Sequence, residues 1–238
     1  MITTRGGEQI EAYTVRAQDP APRGGVVLIH HMPGYDDRQK EIARWFGYLG
    51  YNAVMPNLYW RDAPGASPDD AAAAGRANGG VPDQRLVTDV EAGMDFLRGL
   101  PNSNGKVGTI GNCSGGRQSV LAACSLPIDA AVDSYGAFVT GTPPEGFPIK
   151  TITPLYDKLP DLNCPLLGLF GQDDQYPSPE QVDELEQLLA KLGKSFEVHR
   201  YEGAGHAFFA VDRPSYRWES AKDGWERVQT FFNTYLNG

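Results

Sequence analysis

Short β-branched or leucine-rich runs alternate along the chain with longer amphipathic segments, and this alternation is the strongest constraint on its fold. It is typical of a mainly parallel sheet flanked by helices, so the sequence predicts the α/β class. Predicted strands cover 26–29, 53–55, 107–110, 130–133, 166–170 and 196–201. Predicted helices cover 83–100, 115–123, 179–192 and 219–235. An earlier helix, capped by Asp36 or Asp37, ends before Gly50, and 60–82 is expected to be a loop with a short helix.

The length and composition indicate one globular domain spanning residues 1–238, because 238 residues with 41% hydrophobic content can bury a substantial core. The net charge of −9, with no block of Lys or Arg, disfavours nucleic acid and anionic membranes as partners. The start of the chain has no signal-peptide pattern, and no apolar run approaches the roughly 20 residues of a membrane span. We therefore expect a cytoplasmic protein that acts on a small molecule; the sequence indicates no oligomeric state.

The cysteines predict neither disulfides nor a metal site. Cys113, Cys124 and Cys164 are an odd number at wide spacings, without a CxxC pair. Cys124 and Cys164 are interpreted as small buried apolar residues. The sequence also has no dinucleotide-binding glycine pattern and no P-loop, so we expect neither a cofactor nor a metal.

Cys113 differs from the other two cysteines because it lies in a glycine-bounded turn between a predicted strand and a predicted helix. The pattern Gly111-Asn112-Cys113-Ser114-Gly115 is that of a nucleophile elbow with cysteine in place of serine. Flanking glycines let two backbone segments approach closely, while the central side chain stays accessible at the sheet edge. The first turn of the helix favours a thiolate, and the Ser114 N–H is placed to stabilise an oxyanion. The alternative is a glycine-rich turn with a buried cysteine.

Two later segments supply the other groups of a catalytic triad. One predicted strand ends in Asp173 and Asp174, and the next ends in a run of small residues before His206. The order nucleophile, acid, histidine is that of the α/β-hydrolases. A single aspartate after a strand is more often a turn residue or a helix cap than a catalytic group. The acid of the triad is therefore left open between Asp173 and Asp174.

At this point the chain resembles the dienelactone hydrolase family over nearly its whole length. The resemblance lies in the segments 27–34, 56–61, 105–108, the Gly-x-Cys-x-Gly-Gly elbow and 205–208. It implies an α/β-hydrolase that cleaves a small carboxylic ester or lactone through a thioester on Cys113. It also implies that Met32 supplies a second oxyanion-hole N–H and, from the Gly-x-x-Asp spacing, that Asp174 is the acid.

The chain departs from the family pattern at two positions. His31 stands where the enzymes acting on dienelactone carry a Glu, and Ala210 stands where they carry a carboxylate-binding Arg. We therefore expect neutral esters to be hydrolysed at least as well as carboxylated ones. Arg117 is expected to point elsewhere, and Arg76 or Arg85 would require the 60–82 loop to fold over the site. The candidates for substrate contact are His31, Tyr59, Arg61 and Arg213.

Fold alone does not fix function, so alternatives remain at this stage. One is a non-catalytic protein of the same fold that senses a small ligand. The others are a thioesterase and a peptidase of this fold.

Overall fold

The computed structural model describes residues 1–147, 149 and 152–237, and its centre is a seven-stranded sheet. The strands are β1 (Ile2–Thr3), β2 (Gln9–Ile10), β3 (Ala12–Val15), β4 (Arg23–Ile29), β5 (Asn52–Pro56), β6 (Ser103–Asn112), β7 (Ala130–Ser134), β8 (Leu166–Gly171) and β9 (Phe196–Tyr201). The helices are α1 (Asp37–Tyr48), α2 (Pro68–Ala77), α3 (Asp83–Arg98), α4 (Ser114–Ser125), α5 (Pro179–Lys191) and α6 (Trp218–Leu236). The sheet order is β3-β5-β4-β6-β7-β8-β9, while β1 and β2 form a separate pair.

All neighbouring strands of the large sheet are parallel except β3, which runs antiparallel to β5 at one edge. The central strands are buried along most of their length, as expected for a sheet covered on both faces. Helices α3, α4 and α5 pack one apolar cluster against it, and α1 and α6 pack another. The mainly parallel sheet flanked by helices that the alternation predicts is therefore confirmed.

The predicted elements are found close to their predicted positions, and the difference lies at the start of the chain. The short helix expected within 60–82 is α2, ten residues long, which begins with Ser67 as N-cap and Pro68 in its first turn. No element is predicted before residue 26, whereas β1, β2 and β3 lie there. These strands are two to four residues long, too short for a reliable alternating pattern. At α1 the side chain of Asp36 accepts from the Gln39 N–H, so Asp36 is the cap.

The strand order reverses direction between β4 and β6, and this reversal locates the site. From β4 the chain moves outward to β5 and then returns to place β6 on the other side of β4. The loop after β4 and the turn after β6 consequently meet at the carboxyl ends of two adjacent parallel strands. Open α/β sheets bind their ligands at such a crevice.

None of the helices in the described part of the chain is both long enough and apolar enough to cross a bilayer.

Candidate active site

Cys113 occupies a sharp turn between β6 and α4. Its backbone has φ 57° and ψ −123°, a region that side chains rarely adopt. The Cys113 N–H donates to the Ser134 carbonyl across to β7 at 3.0 Å, and its carbonyl accepts from the Gly116 N–H at 2.9 Å. The thiol is half-buried and stands at the amino end of α4, where the first-turn N–H groups have no intrahelical acceptor. This is the conformation expected of a nucleophile elbow.

The flanking glycines permit this turn because backbone lies where a side chain would be. A Cβ added to Gly111 would lie 1.9 Å from the Gly115 carbonyl oxygen, and one added to Gly115 would lie 2.2 Å from the Ile29 carbonyl oxygen. No real Cβ contact is that short. The start of α4 therefore crosses β6 and β4 at backbone contact distance, and the Gly-x-Cys-x-Gly pattern is required by sterics.

The structure brings the predicted histidine and acid together. His206 Nδ1 lies 2.8 Å from Asp174 Oδ2, and Asp174 Oδ1 accepts from the Tyr176 N–H at 2.9 Å. Asp174 is buried, whereas Asp173 is exposed and its N–H donates to the Ala204 carbonyl in the turn. Of the two aspartates left open by the sequence, Asp174 is the one paired with the imidazole.

The protonation of His206 follows from its two neighbours. Burial lowers the pKa of His206, but hydrogen bonding with Asp174 and then with Cys113 outweighs burial and raises the pKa to about 10. At neutral pH the imidazole is thus held as a cation between a carboxylate and a thiol.

The other two cysteines are unsuited to chemistry. Cys124 and Cys164 are both buried, and burial raises the pKa of each thiol to about 12. Their interpretation as packing residues agrees with this environment.

A cavity of about 210 Å³ opens in front of Cys113 and Ser114. Met32 and Tyr59, both predicted to contact the substrate or oxyanion, contribute to its wall. Helix α2 lies close over Tyr59, because a Cβ added to Gly75 would be 2.8 Å from the Tyr59 ring. The segment expected to be a loop therefore does fold over the site, and it brings Arg76 into the cavity wall.

Arg76 was expected to reach the site only if the 60–82 segment folds over it, and Arg76 does lie in the cavity wall. It is exposed, and no carboxylate in the described ranges 1–147, 149 and 152–237 pairs with it. Arg117 also borders the cavity, but its guanidinium makes two 2.9 Å bonds with Asp83 and one of 2.7 Å with the Thr153 carbonyl. Both terminal nitrogens of Arg117 are thus used and only its Nε has no partner among the described residues, whereas the whole guanidinium of Arg76 is free to bind an anion.

Three of the predicted substrate contacts are not in the wall of this cavity. Arg61 makes paired bonds with the fully buried Asp89 and with Glu8, so its donors are already used. Arg213 is exposed outside the cavity. His31 is buried, and its Nε2 accepts from Arg38 at 2.8 Å. These positions follow from side-chain direction, which a sequence pattern does not specify.

His30, rather than His31, faces the cavity. Its Nδ1 lies 3.0 Å from the His31 carbonyl and its Nε2 accepts from the Leu58 N–H at 3.1 Å. Burial lowers the pKa of His30 to about 4, so the ring is neutral and fixed as the tautomer protonated on Nδ1. It connects the loop after β4 with the loop after β5.

Sequence reasoning also missed two residues behind the elbow. Asp133, in β7, is fully buried, and its Oδ1 accepts from the Gly136 N–H at 2.7 Å. Burial raises the pKa of Asp133 to about 7. The Tyr135 ring stands edge-on to His206, with centroids 5.3 Å apart, and its φ is 46°. In the sequence, Asp133 could have been noticed as a carboxylate within a strand of mostly small and apolar residues. No sequence signal points to Tyr135.

In the ranges the structure describes, no three His, Cys, Asp or Glu side chains are grouped so that they could hold a metal ion.

The fold and the elbow define the chain as an α/β-hydrolase. The profile of the dienelactone hydrolase family matches residues 10–236, and the chain belongs to that family.

Individual relatives agree with this assignment. A protein of Escherichia coli strain K12, named as a candidate carboxymethylenebutenolidase, is 33% identical over 96% of this chain and 84% of its own. The carboxymethylenebutenolidase of Rhodococcus opacus is 28% identical over 94% and 86%. The crystal structure of a candidate dienelactone hydrolase from Klebsiella pneumoniae superposes with a TM-score of 0.84 at 29% identity, covering 99% and 98%. An acylaminoacyl peptidase of Pyrococcus horikoshii, at 18% identity and a TM-score of 0.72 over 99% and 41%, shares the fold.

His30 should make the protein sensitive to acid. Its folded-state pKa of about 4 lies below the ordinary value of 6.5, so its contribution to stability is complete above pH 6.5 and is lost as pH falls toward 4. The loss should reach about 2–3 kcal/mol at pH 4, from about 1.4 kcal/mol per pKa unit. We expect the wild-type advantage over His30→Gln, measured by urea unfolding, to shrink by that amount between pH 7 and pH 4. An advantage that stays constant would show that His30 does not titrate in this range.

Proposed function

We propose that the protein hydrolyses a small carboxylic ester or lactone through a thioester on Cys113. The observation that carries the proposal is the Asp174–His206 pair beside a cysteine in a strained elbow at the reversal point of the sheet. The names of the relatives and the small volume of the cavity support the same class of substrate.

In the first half of the reaction the Cys113 thiolate attacks the carbonyl carbon and forms the C–S bond. The carbonyl electron pair moves to oxygen, where the N–H groups of Ser114 and Met32 stabilise it. As the intermediate collapses, the C–O bond breaks and the leaving oxygen takes the proton held on His206 Nε2. The products are the alcohol, or the opened end of a lactone, and a thioester on Cys113.

In the second half His206 Nε2 takes a proton from water, and the resulting hydroxide attacks the thioester. The C–S bond breaks, the carboxylic acid leaves, and the thiolate and imidazolium are restored. Asp174 keeps the Nδ1 proton on the ring, so that Nε2 is the nitrogen that exchanges protons with the reactants. The raised pKa of His206 suits this cycle, because the resting imidazole already carries the proton needed by the leaving group.

The cavity wall also indicates a substrate charge. The expectation that neutral esters are hydrolysed at least as well as carboxylated ones rested on Ala210, which stands in place of a carboxylate-binding Arg, and the remaining candidates Arg61 and Arg213 are not in the wall of this cavity. Arg76 takes their place in the wall, and a guanidinium binds a carboxylate with two parallel charge-assisted hydrogen bonds. We therefore include a carboxylate on the ester or lactone in the proposal, held by Arg76.

The alternatives are less well supported by the arrangement. A ligand sensor has no need of a buried acid that orients a histidine next to a thiol. A cavity of about 210 Å³ has little room for a polypeptide, and the likeness to peptidases is one of fold. A thioesterase would use the same chemistry on a sulfur leaving group.

Substitutions at the triad positions should show whether Asp174 or its neighbour Asp173 is the catalytic acid. Cys113→Ala is expected to abolish hydrolysis of p-nitrophenyl acetate, and Asp174→Asn to lower kcat/KM by at least about 10²-fold. Asp173→Asn, one residue away and exposed, is the matched control and should change kcat/KM less than threefold, or about 0.6 kcal/mol. Substantial activity in Cys113→Ala would exclude the thioester mechanism, and the reverse order of the two aspartate variants would move the acid to Asp173.

Arg76 should determine the preference for a carboxylated substrate. For a dienelactone and its neutral methyl ester, Arg76→Gln is expected to raise KM about 10-fold or more for the acid and to leave the methyl ester nearly unchanged. Arg213→Gln removes an exposed guanidinium outside the cavity and serves as the control. Equal effects of Arg76→Gln on both substrates would remove the carboxylate from the proposal while leaving the thioester mechanism in place.

A further inference from the structure

A second and larger cavity, of about 550 Å³, lies between α1 and α6. It has no lining residue in common with the cavity in front of Cys113. Its volume is in the range of small-molecule sites. Aromatic side chains make up much of its wall: Trp45, Phe209, Tyr216, Trp218 and Trp225.

Buried polar groups at this cavity lack partners. Tyr135 is 2% exposed and borders the cavity, and its hydroxyl has no hydrogen-bond partner among residues 1–147, 149 and 152–237. Asn112 and Gln39 also border it, both more than nine-tenths buried, each with a carbonyl oxygen that has no partner there. Buried polar atoms are normally hydrogen-bonded, so two buried amide oxygens without partners, beside a tyrosine hydroxyl that makes no hydrogen bond within the described residues, indicate a ligand that completes them.

The charges around the cavity are balanced. Lys222 pairs with Glu226 at 2.8 Å, and Arg38 is bonded to Asp212 and to His31. No unpaired cation in the described part of the wall is therefore available to hold an anionic ligand. Two apolar residues of the wall, Trp218 and Val211, are 65% and 67% exposed, beside these paired charges. A neutral ligand with a large apolar surface fits this environment.

We propose that this cavity binds a small neutral aromatic molecule that carries a hydroxyl group. Its ring packs among Trp45, Phe209 and Trp225, where Phe209 and Trp225 are already stacked with centroids 4.9 Å apart. Its hydroxyl oxygen accepts from the Tyr135 hydroxyl. The amide oxygens of Asn112 and Gln39 are closed to solvent in this structure, so one of these two side chains rotates toward the cavity to accept the hydroxyl hydrogen. The match to both a donor and acceptors selects a hydroxyl over a bare ring or a carboxylate.

The site lies directly behind the catalytic turn. Asn112 precedes Cys113 in the chain, and the Tyr135 ring contacts His206 edge-on. The inference is nevertheless independent of the proposed reaction, because neither Cys113 nor His206 borders the cavity.

Binding of 2-naphthol to the full-length protein, followed by calorimetry, tests the proposal, with naphthalene as the probe that lacks only the hydroxyl. We expect 2-naphthol to bind at least about 10-fold more tightly than naphthalene, the effect of a good buried hydrogen bond. Tyr135→Phe should remove most of that difference while leaving naphthalene binding unchanged. Ala221→Leu adds bulk at a cavity-lining position and should weaken both probes, and Ala190→Leu, the same change on the exposed face of α5, should weaken neither.

Thermal unfolding shows whether each variant is folded. Should Ala221→Leu unfold, Ala221→Val is the smaller replacement at the same position. In Cys113→Ala the affinities should equal those of the wild type. Loss of binding in Cys113→Ala, no preference for 2-naphthol over naphthalene, or binding that Ala221→Leu leaves intact would each overturn the proposal.

Discussion

The contact on which the site depends is the crossing of α4 over β6 and β4 at backbone distance. Gly111 and Gly115 have no Cβ, so the start of the helix, at Gly115, lies directly against the backbone of Gly111 in β6 and the Ile29 carbonyl group in β4. This approach forces the chain to reverse within one residue, and Cys113 takes the strained conformation with φ 57°. The strain holds the thiol above the sheet at the amino end of α4. A Cβ at either glycine would push the helix away and with it Cys113.

The surroundings of the turn keep it in place. Asp133 lies beneath α4, where a Cβ on Gly116 would be 2.2 Å from its Oδ1. The next turn, through Tyr135 and Gly136, is tied to β8 by the Tyr135 N–H, which donates to the Leu169 carbonyl at 2.9 Å. Because β8 ends in the loop that carries Asp174, Cys113 and Asp174 are positioned by β6 and β8, the two strands that flank β7 in one sheet. The aromatic cavity borders the same turn on its other side.

The sequence was sufficient for the parts of the site that depend on strand ends. Cys113, His206 and the pair Asp173 and Asp174 each follow a predicted strand, and parallel strands bring their carboxyl ends together. It was insufficient where side-chain direction or tertiary contact decides. Arg61 turned to the buried Asp89, and Arg76 reached the cavity because Gly75 lets α2 lie on Tyr59. The partnerless groups at the second cavity depend on the packing of α1 and α6, which has no local sequence signature.

The central claim is that Cys113 carries the acyl group, and rapid-quench mass spectrometry with p-nitrophenyl acetate tests it most directly. His206→Gln slows hydrolysis of the thioester by removing the base that activates water, so the intermediate should accumulate in that variant. The account predicts one acetyl group per chain, on the peptide containing Cys113, and its release by hydroxylamine at neutral pH. An acetyl group on another residue would contradict the account. So would turnover without any acetylated chain in both the wild type and His206→Gln.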